Sequence, residues 1–353
     1  METSPIASWD ELITQVPRRR FIPDVIWRRE VERVGNEQVP VDRNRNAPAW
    51  EELVAVDAPV TIQVDYGKLD EDGSGWEPTS FCPDHSVTQR MLRALDPSAG
   101  TRVLEIGTGS GWWAALMAAA GAEVTTVEVD PELAHAAKSR LAGVATVITG
   151  DGEEGWAEGA PYDAVIASVG TWRVLPAWIE QTRVGGRLVV PLTADWYPPG
   201  LAVLERTPEG ALGRLAGPAA FDVLRGQAPH RIRGVDFTIP MNPGRTTDVH
   251  PYDLLGDPAA ATAIGQRVSG ITQAWTAAPG SRAGTLWLYA KDSWATLSTL
   301  EGLPYQVSQA GPRRLYDEVE AGYMWWVQQG QPGVEAWRVE VDRNGQQRLY
   351  LEA

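Results

Sequence analysis

The chain has 353 residues, 43% of them hydrophobic and 22% charged, a balance that buries a core of normal size and accommodates two domains or one large domain with an extension. Its net charge of -15, from 46 acidic against 31 basic residues, opposes binding to phosphate backbones, so no nucleic-acid partner is expected. A single cysteine, Cys82, excludes an intrachain disulfide, and His85, His135, His230 and His250 show no metal-ligand spacing, so no metal is expected either.

Residues 9–16 read as a short helix that stops before Pro17. Residues 16–24, Val-Pro-Arg-Arg-Arg-Phe-Ile-Pro-Asp, form a turn-rich connector whose Arg18–Arg20 run reads as a solvated face. Residues 69–78 are acidic and glycine-rich, the pattern of a mobile loop. Val87, Met91 and Leu95, at i, i+4 and i+8, predict a helix over 87–95. From Thr101 onward strands at 102–106, 123–128, 146–149, 163–168 and 188–191 alternate with helices at 112–120 and 131–141, which implies a mainly parallel sheet. Later antiparallel strands are expected at 201–206 and 211–215.

After about residue 227 the texture changes. Residues 230–256 are rich in Pro, Gly and Asp, a helix is expected within 255–275, a strand at 285–290 and an amphipathic helix at 313–329. Residues 336–342 and 347–351 flank Arg343-Asn344-Gly345-Gln346, a hairpin signal. The expected division is therefore 1–80 as an N-terminal helical and loop segment, 81–226 as an α/β core, and 227–353 as a Trp-rich C-terminal domain of mixed α+β type. The sixteen tryptophans either fill the core, the favoured reading, or grip a peptide. The most apolar stretch, 112–122, is far shorter than the ~20 residues of a membrane helix, and residues 1–10 lack the pattern of a secretory signal. These features lead to the expectation of a cytoplasmic monomer with no membrane partner.

Residues 103–111, Val-Leu-Glu-Ile-Gly-Thr-Gly-Ser-Gly, place a glycine turn between a strand and a helix, where the backbone approaches a ligand closely. The spacing is Gly-x-Gly-x-Gly, formed by Gly107, Gly109 and Gly111 around Thr108, rather than the dinucleotide-binding form. Glu128 ends the next strand, twenty-one positions after Gly107, where a carboxylate accepts hydrogen bonds from ribose hydroxyls; Val129 follows it. Asp151-Gly152 follows the third strand, where a carboxylate receives an adenine amino group or caps the next turn. Glu105, inside the first strand, supports the glycine loop or an ammonium on the ligand. With no phosphate-binding lysine, this set points to S-adenosyl-L-methionine, a sulfonium without phosphate.

Four blocks over roughly residues 10–215 resemble the protein-L-isoaspartate O-methyltransferase family: Val16–Pro23, Ser80-Phe81-Cys82-Pro83-Asp84-His85, the glycine loop with Glu128 and Asp151-Gly152, and Tyr162-Asp163-Ala164-Val165 through 185–191. The resemblance implies a Rossmann-like class I methyltransferase fold, S-adenosyl-L-methionine as cofactor, and a carboxylate on a peptide or protein as methyl acceptor. It further implies that Ser80 holds the acceptor carboxylate with help from Thr79, and that His85 orients the loop or the substrate. Three departures stand out: Pro83 lies three positions after Ser80, the stretch after the fourth strand reads Ser168-Val169-Gly170-Thr171-Trp172, and the C-terminal region exceeds a plain repair enzyme. They favour a divergent branch that methylates an aspartyl side chain of a macrocyclic, ribosomally made peptide, the ester closing to an aspartimide. Repair of isoaspartyl proteins and a non-catalytic binding module are the alternatives. Cys82, with no paired base, reads as structural.

Overall fold

The computed structural model describes residues 8–30, 36–227, 244–277, 283–299 and 303–352. Chain order begins with α1 (Trp9–Gln15), which Ser8 starts through a reciprocal capping box with Glu11. There follow β1 (Val25–Arg29), β2 (Gln38–Asp42), α2 (Ala47–Ala55), β3 (Val60–Val64) and β4 (Pro78–Cys82). These four strands form an antiparallel sheet in the order β2-β1-β3-β4. Sequence patterning missed it, because the strands are five residues long and carry prolines and charges. Residues 69–78 are correspondingly not a loose loop. Gly75 and Gln38 exchange both backbone hydrogen bonds, at 2.7 and 3.0 Å, and Trp27 donates its indole N–H to the Gly73 carbonyl.

The core runs through α3 (His85–Leu95), β5 (Arg102–Ile106), α4 (Trp112–Ala119), β6 (Glu123–Glu128), α5 (Pro131–Leu141), β7 (Thr146–Thr149), β8 (Tyr162–Ala167), α6 (Pro176–Gln181), β9 (Thr182–Leu192), β10 (Gly200–Thr207) and β11 (Gly210–Leu215). Helix α3 starts two residues before its apolar stripe because Asp84 caps it, accepting from the Val87 N–H at 2.7 Å. Strand β9 is far longer than the apolar run 188–191, since Gly185 and Gly186 hide its start. Strands β7-β6-β5-β8-β9 pair in parallel. Beyond β9, the strands β10 and β11 pair antiparallel.

The C-terminal part contains β12 (Arg245–Thr247), α7 (Pro251–Leu255), α8 (Pro258–Gly265), β13 (Thr272–Ala277), β14 (Gly284–Ala290), β15 (Ser293–Thr299), β16 (Tyr305–Ala310), α9 (Leu315–Gln328), β17 (Trp337–Asp342) and β18 (Gln347–Leu351). The single helix expected within 255–275 is broken at Gly256 and again after Gly265, and its last residues join a strand. Part of the 230–256 segment lies outside the described residues. Strands β12-β16-β15-β14-β13 form a separate five-stranded sheet. The hairpin of β17 and β18 does not join it. Strand β17 pairs with β11, so the main sheet reaches nine strands and draws on both sides of the boundary expected at 227. Ala260, Ala263, Trp326 and Trp337 share one apolar cluster with Val165, Leu188 and Leu204 of the core sheet. Eight of the sixteen tryptophans are buried, which favours the core reading.

The basic run needs correction. Arg18 is 2% exposed, not a solvated charge. Its guanidinium donates to the carbonyls of Val54, Val56, Ala58 and Pro83 at 2.7–3.1 Å, which fastens α2 and the start of α3 to the connector. Trp112 donates its indole N–H to the Val16 carbonyl at 2.8 Å and ties the same connector to α4. Replacing Arg18 by Ala orphans several buried carbonyls at once. We expect a loss of about 3 kcal/mol in unfolding free energy, read from urea denaturation; a loss under about 1 kcal/mol would mean that water replaces the guanidinium.

Candidate active site

The C-terminal ends of the parallel strands open into a cavity of about 810 Å³, the place where open α/β sheets bind ligands. Its floor is the loop after β5. Gly107, Gly109 and Gly111 have φ of 88°, 50° and 85°. A Cβ on Gly107 would lie 2.5 Å from Ser168 Oγ, so glycine is needed there for space as well as for backbone. Ser168, at the end of β8, secures the loop by donating to the Gly107 carbonyl at 2.5 Å.

Glu128 fixes the loop from the neighbouring strand. One carboxylate oxygen accepts the Gly109 N–H at 2.8 Å and the other the Asp130 N–H at 3.1 Å. Burial raises its pKa, against which these two N–H groups pull it down. Thr108 pairs its hydroxyl with that of Thr126 at 2.7 Å. Val129 and Gly152 line the cavity as expected, but Asp151 is exposed and is not among the lining residues. Its carboxylate accepts the Glu153 N–H at 2.9 Å, the capping role.

Glu105 lines the cavity, is 1% exposed, and leaves Oε2 with no hydrogen-bond partner. Burial, opposed by a hydrogen bond with Thr126 and reinforced by the nearby Glu128 charge, pushes its pKa up to about 8. A buried carboxyl group with an orphan oxygen beside a glycine loop suits a cationic, N–H-bearing ligand. The residues present therefore fit S-adenosylmethionine: Glu105 for its positive charge, Gly107 and Gly109 for close approach, and Glu128 for hydroxyl groups.

The opposite wall comes from β4. The β3–β4 register slips between Thr61 and Gln63 and again between Gln63 and Val64. Such irregularity re-aims side chains, and it falls at Thr79 and Ser80. Ser80 lines the cavity, its Oγ lies 3.7 Å from where a Gly109 Cβ would stand, and its hydroxyl has no partner among the described residues. Thr79 also lines the cavity, but its hydroxyl is committed, donating to Gln63 Oε1 at 3.0 Å and accepting the Tyr66 N–H at 3.1 Å. His85 is not among the lining residues. Its ring packs edge-on against Trp112 and lies 3.2 Å from Asp57, which also accepts the His85 backbone N–H, so the residue shapes the start of α3. Cys82 is buried and burial pushes its thiol up to about 11, consistent with a structural side chain.

Sequence reasoning missed the roof. After β11 the chain doubles back: the Gly170 N–H donates to the Asp222 carbonyl and the Leu224 N–H to the Gly170 carbonyl, both at 2.8 Å. This strap brings Phe221, Asp222 and Arg225 to the cavity. Burial and the neighbouring Glu77 charge raise Asp222 to about 6. The shared apolar character of 219–224 was the one available signal. Tyr66, at the mouth, had none.

A family model described as protein-L-isoaspartate(D-aspartate) O-methyltransferase matches residues 28–211. The chain belongs to this family. The protein-L-isoaspartate O-methyltransferase of Gloeobacter violaceus is 40% identical over 147 residues, which are 40% of this chain and 72% of that one. Protein-L-isoaspartate O-methyltransferase 1 of Rhodopseudomonas palustris is 42% identical over 125 residues, 34% of this chain and 51% of that one. A solved structure of a protein-L-isoaspartate O-methyltransferase, 17% identical, aligns over 99% of this chain and 96% of its own with a TM-score of 0.51. That likeness of fold covers the C-terminal sheet too. The fold is thus a Rossmann-like class I methyltransferase with added C-terminal sheet, and the cofactor of this methyltransferase is S-adenosylmethionine. Among the described residues no helix is long and apolar enough to cross a membrane and no side-chain cluster could hold a metal.

Glu105 gives a pH-dependent prediction. Its carboxyl is neutral in the folded, cofactor-free protein up to about pH 8 but ionises near its ordinary value when unfolded. Stability is therefore lost as pH rises from that ordinary value toward 8, and levels off above. Glu105→Gln removes this loss, so at pH 7.5 the cofactor-free variant should melt at a higher temperature than the parent. It should also bind S-adenosylmethionine about tenfold or more weakly, measured by calorimetry. A variant that binds the cofactor as tightly as the parent would rule Glu105 out as the cation-facing group.

Proposed function

We propose that the protein transfers a methyl group from S-adenosylmethionine to the free carboxylate of an isoaspartyl residue in a peptide or protein. The observation that carries this reading is Ser80: an unpartnered hydroxyl inside the cavity, directly above Gly109 of the glycine loop. Bound S-adenosylmethionine supplies an electrophilic methyl group on a sulfonium. A carboxylate is ionised at neutral pH, so the protein needs no strong base. Ser80 donates its hydroxyl hydrogen to one carboxylate oxygen and leaves the other free to attack. Phe81, Trp112, Trp113 and Phe221 wall the cavity and keep water from two oppositely charged reactants. The new C–O bond forms as the sulfonium S–CH3 bond breaks, giving a methyl ester and S-adenosylhomocysteine; a neighbouring backbone nitrogen then attacks the ester, closing a five-membered imide and releasing methanol. Asp151 and His85 lie off the cavity wall: Asp151 caps the turn after β7, and His85 ties the start of α3 to Asp57.

A second reading is favoured by one observation. The family match ends at residue 211, and the described residues beyond 227 build a whole further sheet with α7, α8 and α9, a part that the aligned protein-L-isoaspartate O-methyltransferase structure also covers. This C-terminal part is a candidate for recognising a particular folded peptide, such as a macrocyclic, ribosomally made one, whose aspartyl side chain would be esterified and kept as the aspartimide.

Both readings are separated by incubating the protein with methyl-labelled cofactor and either a panel of unrelated short isoaspartyl peptides or cyclised aspartyl peptides. Base-labile methyl esters across the isoaspartyl panel are the expected result; esters on the cyclised aspartyl peptides alone would transfer the assignment to the second reading, and none on either class would sink the carboxylate assignment. Ser80→Ala should lower kcat/KM by about tenfold to a hundredfold while cofactor affinity stays unchanged.

A further inference from the structure

The acceptor proposed above is an anion, yet the cavity is acidic. Glu77, Asp84, Glu105, Glu128 and Asp222 all line it, and among the described residues that line it the only base is Arg225, on the strap. An incoming carboxylate needs a compensating charge within a few ångströms, because desolvation makes an unpaired charge costly.

Arg225 is held in place by contacts with two segments of the chain. Its Nη2 lies 3.3 Å from Asp130 Oδ2, and its guanidinium lies over the Tyr66 ring, 4.6 Å from the centroid. Asp130 Oδ2 also accepts from Gln63 Nε2 at 2.9 Å, and Gln63 Oε1 accepts from the Thr79 hydroxyl at 3.0 Å. The Thr79 oxygen accepts the Tyr66 N–H at 3.1 Å, which closes a ring of contacts from the strap to the β6–α5 corner, to β3 and β4, and back. Asp130 lies below its usual carboxylate range: burial raises it, but the hydrogen bonds from Gln63, Leu133, Glu132 and Arg225 together outweigh that. It is therefore a charged anchor.

The Tyr66 platform is itself strained. Asp65 and Tyr66 have φ of 47° and 54°, consecutive left-handed residues that are not glycine, at a cost of roughly 1–2 kcal/mol each. The Asp65 carboxylate holds the turn by accepting the backbone N–H groups of Trp76 at 2.6 Å and Glu77 at 3.1 Å. Strain kept at a cavity mouth calls for a use. An arginine carries five N–H donors in a fixed fork, and one nitrogen of Arg225 is engaged by Asp130. The side chain lines the cavity and is 33% exposed, and its other guanidinium nitrogens have no hydrogen-bond partner among the described residues.

We propose that Arg225 is the acceptor-binding cation: its free N–H groups receive the carboxylate of the aspartyl-type residue as it enters, and the Asp130–Tyr66 mount sets its direction toward Ser80. This assignment rests on the carboxyl-methyltransferase reading for its substrate class. It requires the Arg225 contact in the enzyme–substrate complex and none with the cofactor.

The test uses the full chain saturated with S-adenosylhomocysteine, an isoaspartyl peptide, and the same peptide with that carboxylate replaced by a carboxamide. Calorimetry should show the parent protein preferring the carboxylate peptide by roughly tenfold to a hundredfold. Arg225→Ala should erase that preference with S-adenosylhomocysteine affinity unchanged, and Arg225→Lys should restore part of it. In turnover, Arg225→Ala should raise the peptide KM by a similar factor and change kcat little. An Arg225→Ala variant that keeps the carboxylate preference overturns the inference. So does one whose main defect is weaker cofactor binding, because Arg225 then only braces the Asp130 corner. If the parent prefers the carboxylate peptide and loses that preference with Arg225 but forms no methyl ester, the functional reading fails and the role of Arg225 stands.

Discussion

The site depends on one buried carboxylate. Glu128 accepts a backbone N–H from the glycine loop with one oxygen and a backbone N–H from the β6–α5 corner with the other. Two adjacent parallel strands end in two separate loops, and nothing in sheet pairing fixes those loops relative to each other. A bridging acid does so, and burial makes the bridge rigid because each N–H is costly to leave unpaired. Asp130, one turn further on, starts α5 by capping and carries the tie outward to Gln63.

From that corner the N-terminal antiparallel sheet takes over. Its last strand, β4, is laid over the glycine loop, and the register slip beside Gln63 decides which side chains face the cavity. The Arg18 guanidinium, with four backbone carbonyls around it, holds α2, the link into β3 and the start of α3 to the connector. The strap after β11 closes the third side through two backbone hydrogen bonds to Gly170. The walls of the cavity thus come from three stretches far apart in sequence. The C-terminal part serves the core in two ways. Its hairpin extends the main sheet, and α8 and α9 fill the space between that sheet and their own.

The parallel core was legible in the chain because short strand-like runs alternate with the helical patterns of α4 and α5, the glycine turn opening the first and the Asp130 cap the second. The glycine turn, Glu105, Glu128 and Gly152 were legible for the same reason: chemistry at strand ends is local. Ser80 was reached through a resemblance, and it faces the cavity. His85, read from the same block, and Asp151, read from its strand end, turn elsewhere: His85 meets the Asp57 carboxylate, and the Asp151 carboxylate accepts the Glu153 N–H. Arg18 was misread as solvated because a run of three arginines does not reveal which one finds carbonyls 36 to 65 positions away.

By itself the sequence determined the α/β core, the glycine loop with its acids, the C-terminal hairpin and the absence of any cysteine pair. These follow from periodicity, glycine spacing and composition, all properties of neighbouring residues. Only the tertiary structure decided that β17 and β18 belong to the main sheet, that residues 69–78 are pinned by Gln38 and Trp27, and that Tyr66, Asp222 and Arg225 meet at the cavity. Those facts depend on backbone pairing and burial between segments distant in the chain, where no local pattern records the partner.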